Sequence, residues 1–196
     1  MSEARARLTA VEVARACGVD LKTIHNWADK GKLRHTRTAG RHLRFHRLDV
    51  VELLRRHAHP VPDALLAQRL RVCAAGMPHA RRALGRRFDV VDVADAIDAL
   101  VSLATIDPDA LVLPDAAWMD DAGVVERLGA NDVTAHVRVV VLCDAARDAA
   151  LLRAGARAVV PHDDAGALRD ALDAIAFGAL TQPRPRVIVS APRGTP

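Results

Sequence analysis

Nothing in the 196-residue sequence approaches the roughly 18 to 20 uninterrupted apolar residues of a membrane span, which excludes a membrane-crossing helix. The opening stretch "MSEARARLTA" has charges but no apolar run behind them, so no secretory signal is expected and the chain is expected to be cytoplasmic. Cysteine is scarce. Cys17, Cys73 and Cys143 are odd in number, far apart and without a CxxC pair, which excludes a disulfide scaffold and a thiolate zinc site. GxxxxGK, HExxH and GxSxG are all missing, so enzyme chemistry has no visible seat and no cofactor is expected. Lysine is nearly absent among the 28 basic residues, an arginine and alanine bias that reads as genomic base composition.

What is present is divided by charge. Residues 1–60 hold 13 Lys+Arg against 6 Asp+Glu, a balance of +7, whereas residues 61–181 hold 12 against 18, a balance of −6. A basic third beside an acidic remainder suggests a polyanion-binding module joined to one that does not touch the polyanion. Punctuation agrees. Helical periodicity runs to about Arg56, "HAHPVPDA" carries two prolines, and the tail "QPRPRVIVSAPRGTP" carries four. The expected organisation is a basic, polyanion-binding domain at 1–58, a linker at 59–67, a second domain at 68–180 and a disordered tail at 181–196.

In the first module Thr9 and Glu12 form a capping-box pair, predicting a helix from Ala10 with Val11, Val13, Ala14 and Cys17 as its apolar face and Gly18 as its stop. Asp20 is a good N-cap for a second helix, Leu21 to about Lys30, stopped by Gly31. Two short helices joined by a Gly-containing turn are the helix-turn-helix signature. Ile24 and Trp27 turn inward, leaving Lys22, Thr23, His25 and Asn26 to meet a groove. Asn pairs bidentately with adenine, and Lys reaches guanine or phosphate. A two-stranded wing is expected next, Leu33–Thr36 and His42–Phe45 around Ala39-Gly40, with Arg34, Arg37, Arg41 and Arg44 meeting phosphates and Phe45 packed inward. "RLDVVELLRR" closes the module as an amphipathic helix with Val50, Leu53 and Leu54 inside.

These spaced residues (Thr9, Glu12, Val13, Ala14; Val19, Thr23, Ile24, Trp27, Gly31, Leu33; Gly40, His42, Arg44, Phe45) resemble the winged helix-turn-helix of MerR-type regulators, nearest the compact excisionase-like branch of actinobacterial developmental regulators. The resemblance covers about residues 8–55. It implies DNA contacts by Lys22, Thr23, Asn26, Arg41, His42 and Arg44. Asn26, where many relatives carry Arg, and the missing dimerisation coiled coil are departures.

The second module alternates. "LRVCAA", "FDVVDV", "ALVLP", "VRVVVLC" and "ARAVVP" read as buried strands between helices at 78–87, 94–105, 120–129, 144–154 and 163–178. That pattern predicts an α/β doubly wound, five-stranded parallel sheet beside the α+β first domain. It resembles a response-regulator receiver domain (the CheY/flavodoxin-like fold) over about residues 69–179. The resemblance places the phosphoacceptor near Asp115, or at Pro114, the hydroxyl residue at Cys143, and the lysine at Pro161 or His162. The magnesium-holding acids are replaced by "CAAGMP", so the expectation is a pseudo-receiver without phosphoryl transfer.

Other groupings take plainer readings. His35, His42, His46, His57 and His59 are dense, but wing and linker positions favour solvated or phosphate-facing roles, and no metal site is expected. Arg81, Arg82, Arg86 and Arg87 favour a solvated face over a partner contact, and Trp118 favours a packed cap. The composite reading is a regulator of transcription that binds double-stranded DNA as a homodimer, the pseudo-receiver supplying the dimer contact or docking a partner protein. An architectural, excisionase-like factor and a protein–protein adaptor are the alternatives.

Overall fold

A computed structural model describes residues 7–115, 121–143 and 148–177. Trp118 and the tail at 181–196 lie outside the described residues. The first module runs β1 (Leu8–Thr9), α1 (Ala10–Cys17), α2 (Leu21–Asp29), β2 (Thr36–Arg37), β3 (Leu43–Phe45) and α3 (Arg47–Arg56). The capping box is complete: the Glu12 N–H donates to Thr9 Oγ1 at 3.2 Å, and the Thr9 N–H donates to Glu12 Oε2 at 2.7 Å. The bonds from Thr9 hold the Glu12 carboxyl below its ordinary range. Gly18 closes α1 at φ +65°, a left-handed conformation that glycine adopts without penalty. Asp20 sits at the start of α2 in extended conformation, yet its side chain makes no capping hydrogen bond.

Two details differ from the sequence reading. Val11 is 53% exposed, because α1 turns only Val13 and Ala14 fully inward. The wing strands are shorter than expected, and an unexpected strand joins them. β1 pairs antiparallel with β3 (Leu8↔Phe45, Thr9↔Arg44), so the sheet order is β1-β3-β2. Two residues are too few to show a period of two, which is why β1 left no trace in the pattern. Ile24, Leu33, Phe45, Val50 and Leu54 fill the core beneath, with Trp27 half-buried at its margin.

The second module contains β4 (Arg71–Ala75), α5 (Ala80–Leu84), β5 (Asp89–Val93), α6 (Ala96–Ile106), β6 (Ala110–Pro114), α7 (Asp121–Ala130), β7 (Arg138–Leu142), α8 (Asp148–Ala154), β8 (Ala158–Val160) and α9 (Ala165–Ala176). Its strands are all parallel in the order β5-β4-β6-β7-β8, the flavodoxin-like arrangement expected. Alternation sorts the faces. Val72, Ala74, Val112 and Val140 point to α5 and α9; Cys73, Ala75, Leu111 and Val139 point to α6, α7 and α8. The helix expected at 78–87 is broken by Gly85 (φ +71°) into α5 and a turn of 3-10 helix at Gly85–Arg87.

The stretch at 59–67 is not a free tether. It holds α4 (Asp63–Leu66), whose Leu65 is buried in the first core and whose Leu65 carbonyl accepts from Arg47 Nη1 at 2.7 Å. Leu48, in the first turn of α3, belongs to the core of the second module. The two modules are docked.

Candidate nucleic-acid interface

α2 has one apolar and one polar side. Ile24 and Ala28 are buried, while Lys22, His25 and Asn26, three or four residues apart, are exposed together, with Thr23 half-buried beside them. The β2–β3 hairpin lies against the C-terminal end of this helix. Arg37 approaches Asp29 Oδ1 at 3.5 Å and donates to the Arg41 carbonyl at 3.3 Å. The hairpin tip is a closed turn: the Thr38 N–H donates to the His42 carbonyl, the Arg41 N–H to the Thr38 carbonyl, and the His42 N–H to Thr38 Oγ1. Arg41 takes φ +60° there, and Gly40 leaves room for the His42 ring, which a Cβ would meet at 3.3 Å. Arg37, Arg41 and His42 are exposed on this tip.

Arg34 and Arg44 lie elsewhere. Arg34 donates to the Ala135 carbonyl of the second module. Arg44 is half-buried, donates to the Leu43 carbonyl at 2.9 Å, and lines a cleft between the modules. Seven of the nine expected contact residues therefore stand on α2 and the hairpin tip; exposed Arg34 bonds to the second module, and half-buried Arg44, on β3, lines the cleft.

At the carboxyl end of the parallel sheet, the strand-order reversal lies between β4 and β6, the place where such folds bind ligands. Gly76 (φ +62°) follows β4 there, and a Cβ on it would stand 3.6 Å from the Pro114 ring. Pro114 ends β6, and Asp115 follows it, its N–H donating to the Leu142 carbonyl at 2.6 Å. Cys143 is buried after β7, and His162 is exposed after β8. Burial pushes the Cys73 thiol up to about 11.

The sequence reading missed the junction. At the opposite end of the sheet, Asp109 is buried before β6, within 3.2 Å of His46 Nε2 and 3.7 Å of Arg47 Nη2, and it accepts the Arg71 N–H at 2.7 Å. Arg138, opening β7, reaches Asp49 Oδ1 at 2.8 Å and Glu52 Oε1 at 3.3 Å on α3. Arg7 and His136 both bind Asp107, at 2.7 and 3.0 Å. The available signal was a charge heading each of two apolar strands, "DALVLP" and "RVVVL", where an ordinary buried strand has none.

Residues 7–58 match the model of a helix-turn-helix domain. No curated protein matches the chain. The second module is similar to a response regulator from Thermotoga maritima (15% identity, TM-score 0.48, covering 56% of this chain and 98% of that one). It is also similar to the signal receiver domain of a signal transduction histidine kinase from Syntrophus aciditrophicus (16%, 0.48, 57% and 92%) and to the response regulator domain of Thermotoga maritima CheB (16%, 0.45, 56% and 97%). At these identities the likeness concerns fold alone. Among the described residues, no helix is long and apolar enough to cross a membrane.

Proposed function

We propose that this chain, a helix-turn-helix domain followed by a module of receiver fold, is a sequence-specific regulator of transcription acting on double-stranded DNA. One observation carries the reading: α2 turns Ile24 and Ala28 inward and leaves Lys22, His25 and Asn26 exposed beside a hairpin tip carrying Arg37, Arg41 and His42. The helix is then the groove reader and the hairpin the wing that grips the flanking phosphates, as in MerR-type proteins. Selection of the intact protein on random duplexes tests this. One enriched motif, lost on Asn26→Ala, is the expected result; equal recovery of all sequences rejects it.

The receiver-like module serves assembly and not phosphoryl transfer in this proposal. After β4 the chain reads Gly76-Met77-Pro78, with no carboxylate to hold a magnesium ion against the phosphoryl oxygens. Intact mass is expected to stay unchanged after exposure to a small phosphodonor and magnesium. A gain of one phosphoryl group, abolished by Asp115→Asn, contradicts it. A second copy pairs through the outer face of α6, where Ile97 and Val101 are 54% and 79% exposed one helical turn apart.

A further inference from the structure

The cleft between the modules is lined by three arginines, Arg7, Arg34 and Arg44, against two carboxylates, Asp49 and Asp132. Arg34, His35, Thr36 and Arg44 line it from the first module, Asp132 and Ala135 from the second, around a cavity of about 150 Å³. Arg34 and Arg44 donate to main-chain carbonyls, and neither forms an ion pair among the described residues. The carboxylates near them are mostly committed. Asp49, which also lines the cleft, is held by Arg138 at 2.8 Å, and Arg7 is engaged by Asp107 at 2.7 Å. Exposed Asp132 is the carboxylate of the lining without an ion pair among the described residues, and Glu12, outside the lining, also acts on Arg44.

From this arrangement we infer that the cleft is a binding site for a compact dianionic phosphate, free or as a small monoester, held by the guanidinium groups of Arg34 and Arg44. Two guanidiniums without an ion pair of their own match the double charge, although the Glu12 carboxylate is near enough to feel Arg44. Their planar forks suit phosphate oxygens, and Thr36 and His35 line the same wall. His35 Nδ1 lies 3.4 Å from the Leu33 carbonyl, which leaves Nε2 as its other polar atom. The walls come from both modules, so an occupant draws them together. It also holds Arg34 and Arg44 in the junction and away from a DNA backbone; this last step rests on the proposed function, and the binding site itself does not.

The experiment uses the full chain and inorganic phosphate. Calorimetric titration without DNA, at constant ionic strength made up with chloride, is expected to show saturable binding of one phosphate per chain. Arg34→Gln and Arg44→Gln are each expected to weaken it at least tenfold, and Asp132→Asn to tighten it severalfold, with unfolding midpoints in chloride close to wild type. The opposite signs separate a local site from a general charge effect. Should one Arg variant fail to fold, the other and Asp132→Asn still decide. Absence of saturable binding, or variants that bind like wild type, overturns the inference. In a second arm, DNA affinity in phosphate is compared with that in chloride at matched ionic strength. Weaker binding in phosphate, with the difference lost in Arg44→Gln, is expected. A chain that binds DNA in neither salt contradicts the proposed function and leaves the titration result standing.

Discussion

At His46 one imidazole serves both modules. Its Nδ1 accepts the Leu48 N–H at 3.3 Å, capping α3, while Nε2 faces Asp109 at 3.2 Å and the ring lies 4.7 Å from that of His136. With Nδ1 an acceptor, the proton sits on Nε2 and the ring is neutral. Although a carboxylate is near, burial first, and then the charges of His136, Arg138, Arg7 and Arg47, hold its pKa well below the ordinary 6.5. The sign follows. Above pH 6.5 folded and unfolded states are both neutral, and below it the unfolded chain takes a proton that the folded one refuses. Stability therefore falls as pH drops below about 6.5, by up to about 1.4 kcal/mol per pH unit from this group. Denaturant unfolding between pH 5 and 8 checks it: His46→Asn, which retains an N-cap acceptor, should show a shallower slope than wild type. Asp107, held low by His136 and Arg7, acts in a separate window, losing its contribution only as pH falls below its ordinary 3.8. On the proposed DNA face, Asn26→Ala is expected to cost about 1–3 kcal/mol of specific binding if the amide pairs with a base edge, with folding unchanged because the side chain is exposed. Affinity measured on a selected site decides.

Among the elements, legibility followed length and periodicity. The capping box at Thr9 and Glu12, the stop at Gly18 and the buried face of α3 are local chemistry, and the structure has them where the residues put them. The central strands β4, β6 and β7 were readable because strands buried on both faces are nearly continuous apolar runs, whereas edge strand β5 carries Asp89 and Asp92. What escaped was set by partners distant in sequence. β1 exists because β3 offers an edge to Leu8 and Thr9; Val11 is outside because two apolar positions already cover the short α1 contact. α4 hides directly behind two prolines, Pro60 and Pro62, and only its docking shows that Leu65 is core. Leu65→Ala is accordingly expected to cost about 2–5 kcal/mol in chemical unfolding, where a flexible linker would register nothing. Val101→Glu on α6 is expected to leave the unfolding midpoint alone and turn a dimer into a monomer in sedimentation. A dimer that survives it places the pairing contact elsewhere.

For the whole molecule, the junction decides how the chain behaves. Asp49, Glu52, Asp109, Arg47 and Arg138 are charges removed from most of their water, and such groups are costly unless matched. Arg138→Ala removes the guanidinium that Asp49 pairs with and leaves Glu52 with Arg157 alone, at 3.6 Å. A loss of about 3–5 kcal/mol is expected, read from denaturant unfolding. Because Leu48 is core to the second module while Val50, Val51, Leu53 and Leu54 of the same helix are core to the first, intact protein should unfold in one transition by all probes. A fragment ending near residue 59 would expose Leu48 and lose Leu65.

The docked α3 also makes the chain a ruler. If two copies pair through their α6 faces, the distance and rotation between the two α2 helices are dictated by packed protein and not by a loose string. DNA has a matching metric: each added base pair moves a half-site along the axis and turns it around by about a tenth of a helical repeat. A tethered reader would tolerate half-sites pushed apart or rotated, at a cost rising slowly with the extra span. A rigid one is phase-locked. Inserting about five base pairs between half-sites places the second on the wrong side of the duplex, and a whole turn places it out of reach, so both insertions should abolish paired binding.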